Sequence, residues 1–399
     1  MNTSGEIFEN SQDTTVKNSR LFLVLFLGVL AGIGPFVMDL YLPALPSVVT
    51  YFNTSMPTVQ LSLTSCMVGL ALGQIMIGPI SDKFGRKLPL LLCISVFAAS
   101  GIGIAMTDNM QTLIAFRFLQ GMSSAGGVVI ARAAAADLYE GAEMARFFAL
   151  LMSVNGVAPI IAPVVGSMLL ELTDWQGIFA FQAAMGIALV LACLRFHESL
   201  TEAKKHQGKL LSSYLNYLEI IKNRPFMLLI GILSFMTAGL IAYIAASPFI
   251  FQEHYHLSAM AFSLYFALNA AGFTIGANVA GKIPQKTGIK IGVMGGVLVG
   301  LLLYVLVLTD GSFWLIEFCL FSYGFTYGIF APGASSLAIS MGRQYAGSAS
   351  AMAGFFPILM GGIISSLVGI GDSFVTFGFI ILVSTILALF SWWVIHKQI

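Results

Sequence analysis

The chain has 399 residues, 58% of them hydrophobic and only 9% charged, with a mean hydropathy of +0.90 and a formal net charge of +1. A soluble domain carries about 25% charged residues, so there is too little polar surface here to cover a water-soluble globule. The composition specifies a chain that crosses a membrane several times. The near-neutral balance singles out no partner, and no nucleic acid is expected.

Residues 1–20 are polar, carry both signs and lead directly into a long apolar run, so they read as a tail rather than a signal peptide. A spanning helix needs about 20 apolar residues. Spans are expected at 21–49, 58–81, 88–107, 110–132, 145–172 and 176–196, then at 224–250, 259–281, 289–309, 312–340, 345–369 and 373–395. The polar stretch 197–223, with Glu198, Glu202, Lys204, Lys205, Lys209 and Lys222, divides these twelve into six and six. The predicted plan is a 1–20 tail, a 21–196 bundle, a 197–223 linker and a 224–399 bundle, all-α throughout.

Basic residues orient such a chain, because loops rich in Lys and Arg stay in the cytoplasm. With both termini placed inside, every one of the 19 basic residues except Arg117 falls on the inner side, and Arg117 lies within a span. The outer loops carry Asp108, Glu171, Asp174, Glu253, Asp310 and Asp372. A multi-pass membrane protein with both termini in the cytoplasm follows, in contact with the lipid bilayer.

The halves are related. Gly73, Gly78, Lys83, Gly85 and Lys87 have identical residue types 203 positions later, at Gly276, Gly281, Lys286, Gly288 and Lys290. Both sets surround the turn between the second and third spans of their half. Each half starts and ends inside, so the repeats are parallel, an arrangement that puts a substrate site between two bundles near mid-membrane. The glycine stripes Gly69/Gly73 and Gly347/Gly354/Gly361 read as close helix packing.

Four motifs carry a family resemblance. "GPISDKFGRK", residues 78–87, packs four charges into ten residues and resembles the loop between the second and third helices of the major facilitator superfamily. "DLYLPALP" from Asp39 resembles the first-helix signature of its twelve-helix drug–proton antiporters, and "LIAFRFLQG" from Leu113 their fourth-helix signature, with Arg117 in the matching place. "APIIAPVVGS" from Ala158 resembles the fifth-helix antiporter signature, with Ala162 and Ser167 where that signature has glycine. Together they resemble the bicyclomycin- and chloramphenicol-resistance (Bcr/CflA) branch. The resemblance implies two parallel six-helix bundles, and export of small amphipathic molecules driven by the proton gradient with no bound cofactor. A monomer is expected.

Asp39 is the principal candidate. A carboxyl within a span costs roughly 2.5–3.5 kcal/mol and so faces a cavity or a partner, and in apolar surroundings it is more readily neutralised than in water. The alternative is a structural hydrogen bond in a helix broken by Pro35 and Pro43. Straight-helix depths put Asp39 and Arg117 each about 6 Å to the outer side of their midpoints, so the two are expected to couple to the proton, unless Arg117 is a static partner that holds the first and fourth spans in register. Glu317 lies about 7 Å into the tenth span and is expected to reach the interface; buried, it would be a second proton or cation site.

Asn155, Tyr243, Asn269, Phe355 and Phe356 are expected to line the cavity. By the resemblance, Asp82, Arg86 and Arg132 are expected to form a cytoplasmic gate, with Asp82 capping the eleventh helix near Tyr345 or binding Arg132 when the cytoplasmic side is closed. The cysteines Cys66, Cys93, Cys193 and Cys319 read as buried apolar side chains, and His254 and His256 as a wet turn rather than a metal site. No nucleophile–base pair and no G-x-x-x-x-G-K-(S/T) phosphate loop appears, so neither an enzyme nor an ATP-driven pump is expected. The remaining alternative is a proton-coupled importer of a small metabolite on the same fold.

Overall fold

The computed structural model describes residues 18–201, 205, 210–342 and 346–396. These fold into helices with no strand among the described residues. In the first half they are α1 (Arg20–Asp39), α2 (Leu45–Tyr51), α3 (Met56–Phe84), α4 (Lys87–Ala105), α5 (Met110–Leu138), α6 (Gly141–Leu172) and α7 (Trp175–Arg195). Then come α8 (Leu210–Ile221), α9 (Arg224–Phe249), α10 (Ala259–Ala280), α11 (Gln285–Leu308), α12 (Phe313–Met341), α13 (Ala346–Leu367) and α14 (Ser373–Ile395). Among the described residues eleven segments are long and apolar enough to cross a membrane, with α1 and α2 together making the first. The 32-residue α6 supplies the fifth of the twelve spans. Ser19, Asn109, Asn223, Ser258 and Asp372 cap N-termini by accepting backbone N–H bonds, which satisfies donors that lipid cannot.

The halves share one packing plan. α1 lies on α5 and α6, α3 on α5, and α4 on α5 and α7. Correspondingly, α9 lies on α12 and α13, α10 on α12, and α11 on α12 and α14. The repeated glycines make this contact close. A Cβ at Gly73 would stand 2.6 Å from Ala125 Cβ of α5, and one at Gly276 would run into the Phe325 carbonyl of α12. Between halves, α3 packs along α13 and α6 along α10, two pairs that the repeat exchanges. The fold is the twelve-helix, two-bundle fold that the sequence predicts.

Three elements refine the sequence-based expectations. The first span is broken at Pro43, as expected, but not at Pro35, which lies inside α1: Pro43 has no N–H to donate to the Asp39 carbonyl four residues back, so α1 stops at Asp39 and a 3₁₀ turn, Leu42–Ala44, precedes α2. The fourth span continues six residues further, to Leu138, which carries Arg132 inside the helix rather than to its edge. The polar stretch after α7 contains α8. The Tyr217 hydroxyl of α8 donates to the Ile75 carbonyl at 3.3 Å, an acceptor that Pro79 leaves without its helical donor. Tyr214 donates to the Met76 carbonyl at 3.2 Å.

Candidate functional site

Between the bundles lies a cavity of about 380 Å³. Its walls are mainly apolar, with Met38, Met67, Leu70, Ile241, Phe266 and Phe273 among them. The polar side chains that reach it are Asp39, Gln74, Arg132, Tyr243 and Asn269. Asp39 is 6% exposed and has no hydrogen-bond or ion-pair partner among the described residues. Its position follows from the break. Tyr41 N–H turns back to the Met38 carbonyl at 3.2 Å, leaving the Val37 carbonyl free of the helix ladder. Arg117 Nη1 and Gln182 Nε2 each donate to that carbonyl at 3.3 Å.

Arg117 therefore does not pair with Asp39. Fully buried, it lies over the rings of Tyr41 and Phe179 at 5.1 and 5.7 Å and donates to Gln120 Oε1 at 2.8 Å. Gln120 in turn donates to Gln182 Oε1 at 2.8 Å. The expected proton-coupling pair is not brought together: equal depth in two helices leaves open which way each side chain faces, and Arg117 faces the broken backbone. Gln120 and Gln182 went unpredicted. The available signal was Gln120 three residues after Arg117, on the same helical face.

Of the other predicted lining residues, Tyr243 and Asn269 reach the cavity, and Asn269 Nδ2 donates to the Tyr243 hydroxyl at 2.9 Å. Phe355 and Phe356 do not line it; their rings meet edge-on at 5.1 Å, and Phe356 packs on the apolar core of the second half. The side chain of Asn155 lies outside the described residues, as does Tyr345. Glu317 does not reach the interface. It is 5% exposed, accepts from Asn269 Nδ2 at 3.3 Å, and its Oε1 is buried without a partner.

The charged turn is a clasp within the first half. Arg86 pairs with Asp82 of α3 across the Gly85 turn and donates from Nε to Asp137 Oδ2 of α5 at 2.8 Å. The Arg86 and Lys87 backbone N–H groups donate to Glu198 at 2.8 and 3.0 Å. Burial works against the charged guanidinium, but its hydrogen bonds to Asp137 and Asp82 outweigh this, and its pKa stands above the ordinary arginine value. Gly85 is required here: its φ is +89°, and a Cβ would stand 2.6 Å from Glu198 Oε2. Its repeat mate Gly288 lies inside α11 at ordinary φ, so the second turn does not reproduce the first.

On this parted face Asp82 is held by Arg86 and not by Arg132. Arg132, with Nε buried and unpartnered, stands where the central cavity meets a second pocket of about 500 Å³. That pocket separates Asp82 and Arg86 from Gly347, Ser348 and Ala351 at the start of α13. A Cβ at Gly347 would meet nothing within 4 Å, so this glycine is not in close helix contact. On the opposite face the halves are bonded together. Ser167 Oγ lies 2.6 Å from Ser263 Oγ and donates to the Ala259 carbonyl at 2.9 Å, Ser263 donates to the Pro163 carbonyl at 2.8 Å, and Gln252 donates to the Pro43 carbonyl at 3.1 Å. There also, His254 pairs with Asp310 at 3.4 Å and stacks on Phe374. No metal-holding group occurs among the described residues.

Two repeated bundles, bonded at one face and parted by pockets toward the other, define a multi-pass membrane transporter that works by alternating access. The chain belongs to the major facilitator superfamily, whose family model matches residues 24–357. It is 36% identical to an uncharacterized MFS-type transporter, YdgK, of Bacillus subtilis (strain 168), over 89% of this chain and 90% of that one. It is 26% identical to a bicyclomycin resistance protein homolog of Haemophilus influenzae, over 88% and 90%, in keeping with the branch that the motifs resemble. Among solved structures, the nucleoside transporter NupG superposes with a TM-score of 0.70 at 15% identity over 94% of this chain and 98% of the other, a likeness of fold.

Proposed function

We propose that the protein exports small amphipathic molecules in exchange for protons, with Asp39 as the exchange site. The observation that carries this is the unpaired Asp39 carboxyl on the wall of a mainly apolar cavity between the bundles. Such a wall accepts varied apolar bodies and offers few directional partners, which suits a broad substrate range. A carboxyl with no fixed cation has two ways to be neutralised there, a proton or a cationic or hydrogen-bonding substrate. If the two exclude each other, opposite movement of proton and substrate follows from linkage alone.

Arg117, Gln120 and Gln182 act as positioning residues in this reading. They hold the Val37 carbonyl and so fix the break on which Asp39 sits. The basic face is the cytoplasmic face of the inner membrane, with both termini on it, and the bundles move as units of a monomer about the 197–223 connection. Asp82 and Arg86 belong to the gate: closing the pocket on the basic face brings the clasp against the first turn of α13, whose N-terminal dipole favours a carboxylate. Ser167, where the resembled signature has glycine, adds a latch on the outer face.

The test is accumulation of chloramphenicol and of a lipophilic cationic dye in cells producing the protein. Lower accumulation than in cells producing Asp39→Asn, erased by a protonophore, is the expected result. Higher accumulation than in control cells would mean import and overturn the export reading.

A further inference from the structure

A second carboxyl, in the other bundle, is buried with no counter-charge. Glu317 lies in the second turn of α12 and touches Asn269 of α10, which touches Tyr243 of α9. All three are at most 5% exposed. The helices packed on α12 bring no charged side chain to it. α10 has none, and the described part of α13 has none. α9 has only Arg224, in its first turn at the basic face. α11 has Lys286 and Lys290, and Lys290 lies 18 residues, about 27 Å, before the end of α11 beside Glu317's turn. Tyr243 is the titratable group that the Asn269 amide joins to Glu317. The turn before α12 holds Asp310, already paired with His254.

The hydrogen-bond inventory shows what is missing. Glu317 Oε1 and Asn269 Oδ1 are both buried acceptors without a donor. An ionised carboxylate in this setting leaves a bare charge and two orphaned acceptors, each costly. One proton on Oε1 removes the charge and turns an orphaned acceptor into a donor that a rotation of the Asn269 amide can meet. Asn269 and Tyr243 line the cavity while Glu317 stands one layer behind them, so the proton's way out is along those two side chains.

We infer that Glu317 is a second proton-exchange site, housed in the C-terminal bundle and opening to the central cavity through Asn269 and Tyr243. On release the Oε1–H bond breaks, its electron pair stays on the carboxylate, and the proton passes to solvent in the cavity; reloading is the reverse. Two carboxyls, Asp39 and Glu317, then serve one cavity from opposite bundles. Each turnover exchanges two protons, one per bundle. The claim rests on the proton-exchange reading above, and its test separates the two.

The experiment uses the full chain in proteoliposomes with an imposed pH gradient and no membrane potential, chloramphenicol as probe, and wild type beside Glu317→Gln. Glutamine keeps the shape and the Asn269 contact, so the fold is retained. Each exchanged proton multiplies the balancing drug gradient by about tenfold per pH unit. With a gradient of about one pH unit, a drug gradient of about a hundredfold in wild type and about tenfold in Glu317→Gln supports the second site. The same gradient in both overturns it. If wild type moves no protons with drug, the proton-exchange reading of the protein fails instead. Infrared spectroscopy then decides Glu317 alone. A protonated-carboxyl band at neutral pH that survives in Asp39→Asn and disappears in Glu317→Gln supports the proton on Glu317, and identical spectra for wild type and Glu317→Gln refute it.

Discussion

Replacing Ser167 and Ser263 by alanine will move the resting protein toward opening at its outer face. Both hydroxyls are buried, at 1% and 0% exposure, and every bond they make here joins α6 of one bundle to α10 of the other. Each hydroxyl has one proton, so of the three short contacts two are donated at any moment. A hydrogen bond between membrane helices contributes about 0.6 kcal/mol on average and about 1.7 at most. Ser167→Ala leaves Ser263 able to donate to Pro163 and so loses one bond, about 0.6 kcal/mol or roughly a threefold shift in the equilibrium between open and closed outer faces. The double variant loses both, about 1.2 kcal/mol and roughly an eightfold shift. Spin labels placed across the outer face, one near Tyr51 and one near Tyr255, read the two populations by pulsed distance measurement. A graded rise in the long-distance population, larger in the double variant, is expected. Unchanged distance distributions in both variants would refute the assignment of these serines as a latch.

Three further predictions concern the supports of the site. Arg117→Met removes two ring contacts and the bonds to Gln120 and Val37. It should cost about 3 kcal/mol, seen as a lower Tm in detergent, with Arg117→Lys intermediate; an unchanged Tm in both would contradict the bracket role. Arg86→Met leaves the largely buried Asp137 carboxylate unpaired and should cost about 3 kcal/mol. Because the Arg86 pKa is raised on folding, its contribution is present at neutral pH and is lost only as pH climbs through that raised value. The Tm gap between wild type and variant should therefore be level from about pH 7 to about pH 9, and a gap that closes over this range would contradict the assignment. Gly85→Ala forces a side chain into a glycine-only backbone region and against Glu198, costing on the order of 1–3 kcal/mol. Gly288→Ala, at ordinary φ with neighbours at 3.3 Å and beyond, should cost much less, and equal losses would contradict the asymmetry of the two turns.

The membrane fold is legible in the sequence because lipid imposes it. Apolar run length sets the spans, the Lys and Arg placement sets their alternation, and five residues, three Gly and two Lys, recurring at an interval of 203 reveal the two halves. Asp39 is legible for the same reason, as a charge where charge is costly, with Pro43 beside it to end the helix. What fails is everything that depends on azimuth. Depth arithmetic places Arg117 level with Asp39 but cannot show that it faces the Val37 carbonyl, and it places Glu317 near the interface without showing that it turns inward to Asn269. Arg132, expected at the inner end of its span, stands inside α5 because Ala133–Leu138 extend the helix by six residues, so it lines the central cavity as well as the pocket shared with Asp82 and Arg86. The Asp82 partner is local, Arg86, because the tight turn at Gly85 folds the residue before α4 back onto the last turn of α3.

The central claim is that drug and proton exchange through Asp39, and the most direct test is internal pH in proteoliposomes holding a proton gradient, recorded while chloramphenicol is added, for wild type and Asp39→Asn in parallel. Proton movement opposite to the drug in wild type, and none in Asp39→Asn, is the predicted result. Equal drug-dependent proton movement in the two proteins, or movement in the same direction as the drug, would contradict it.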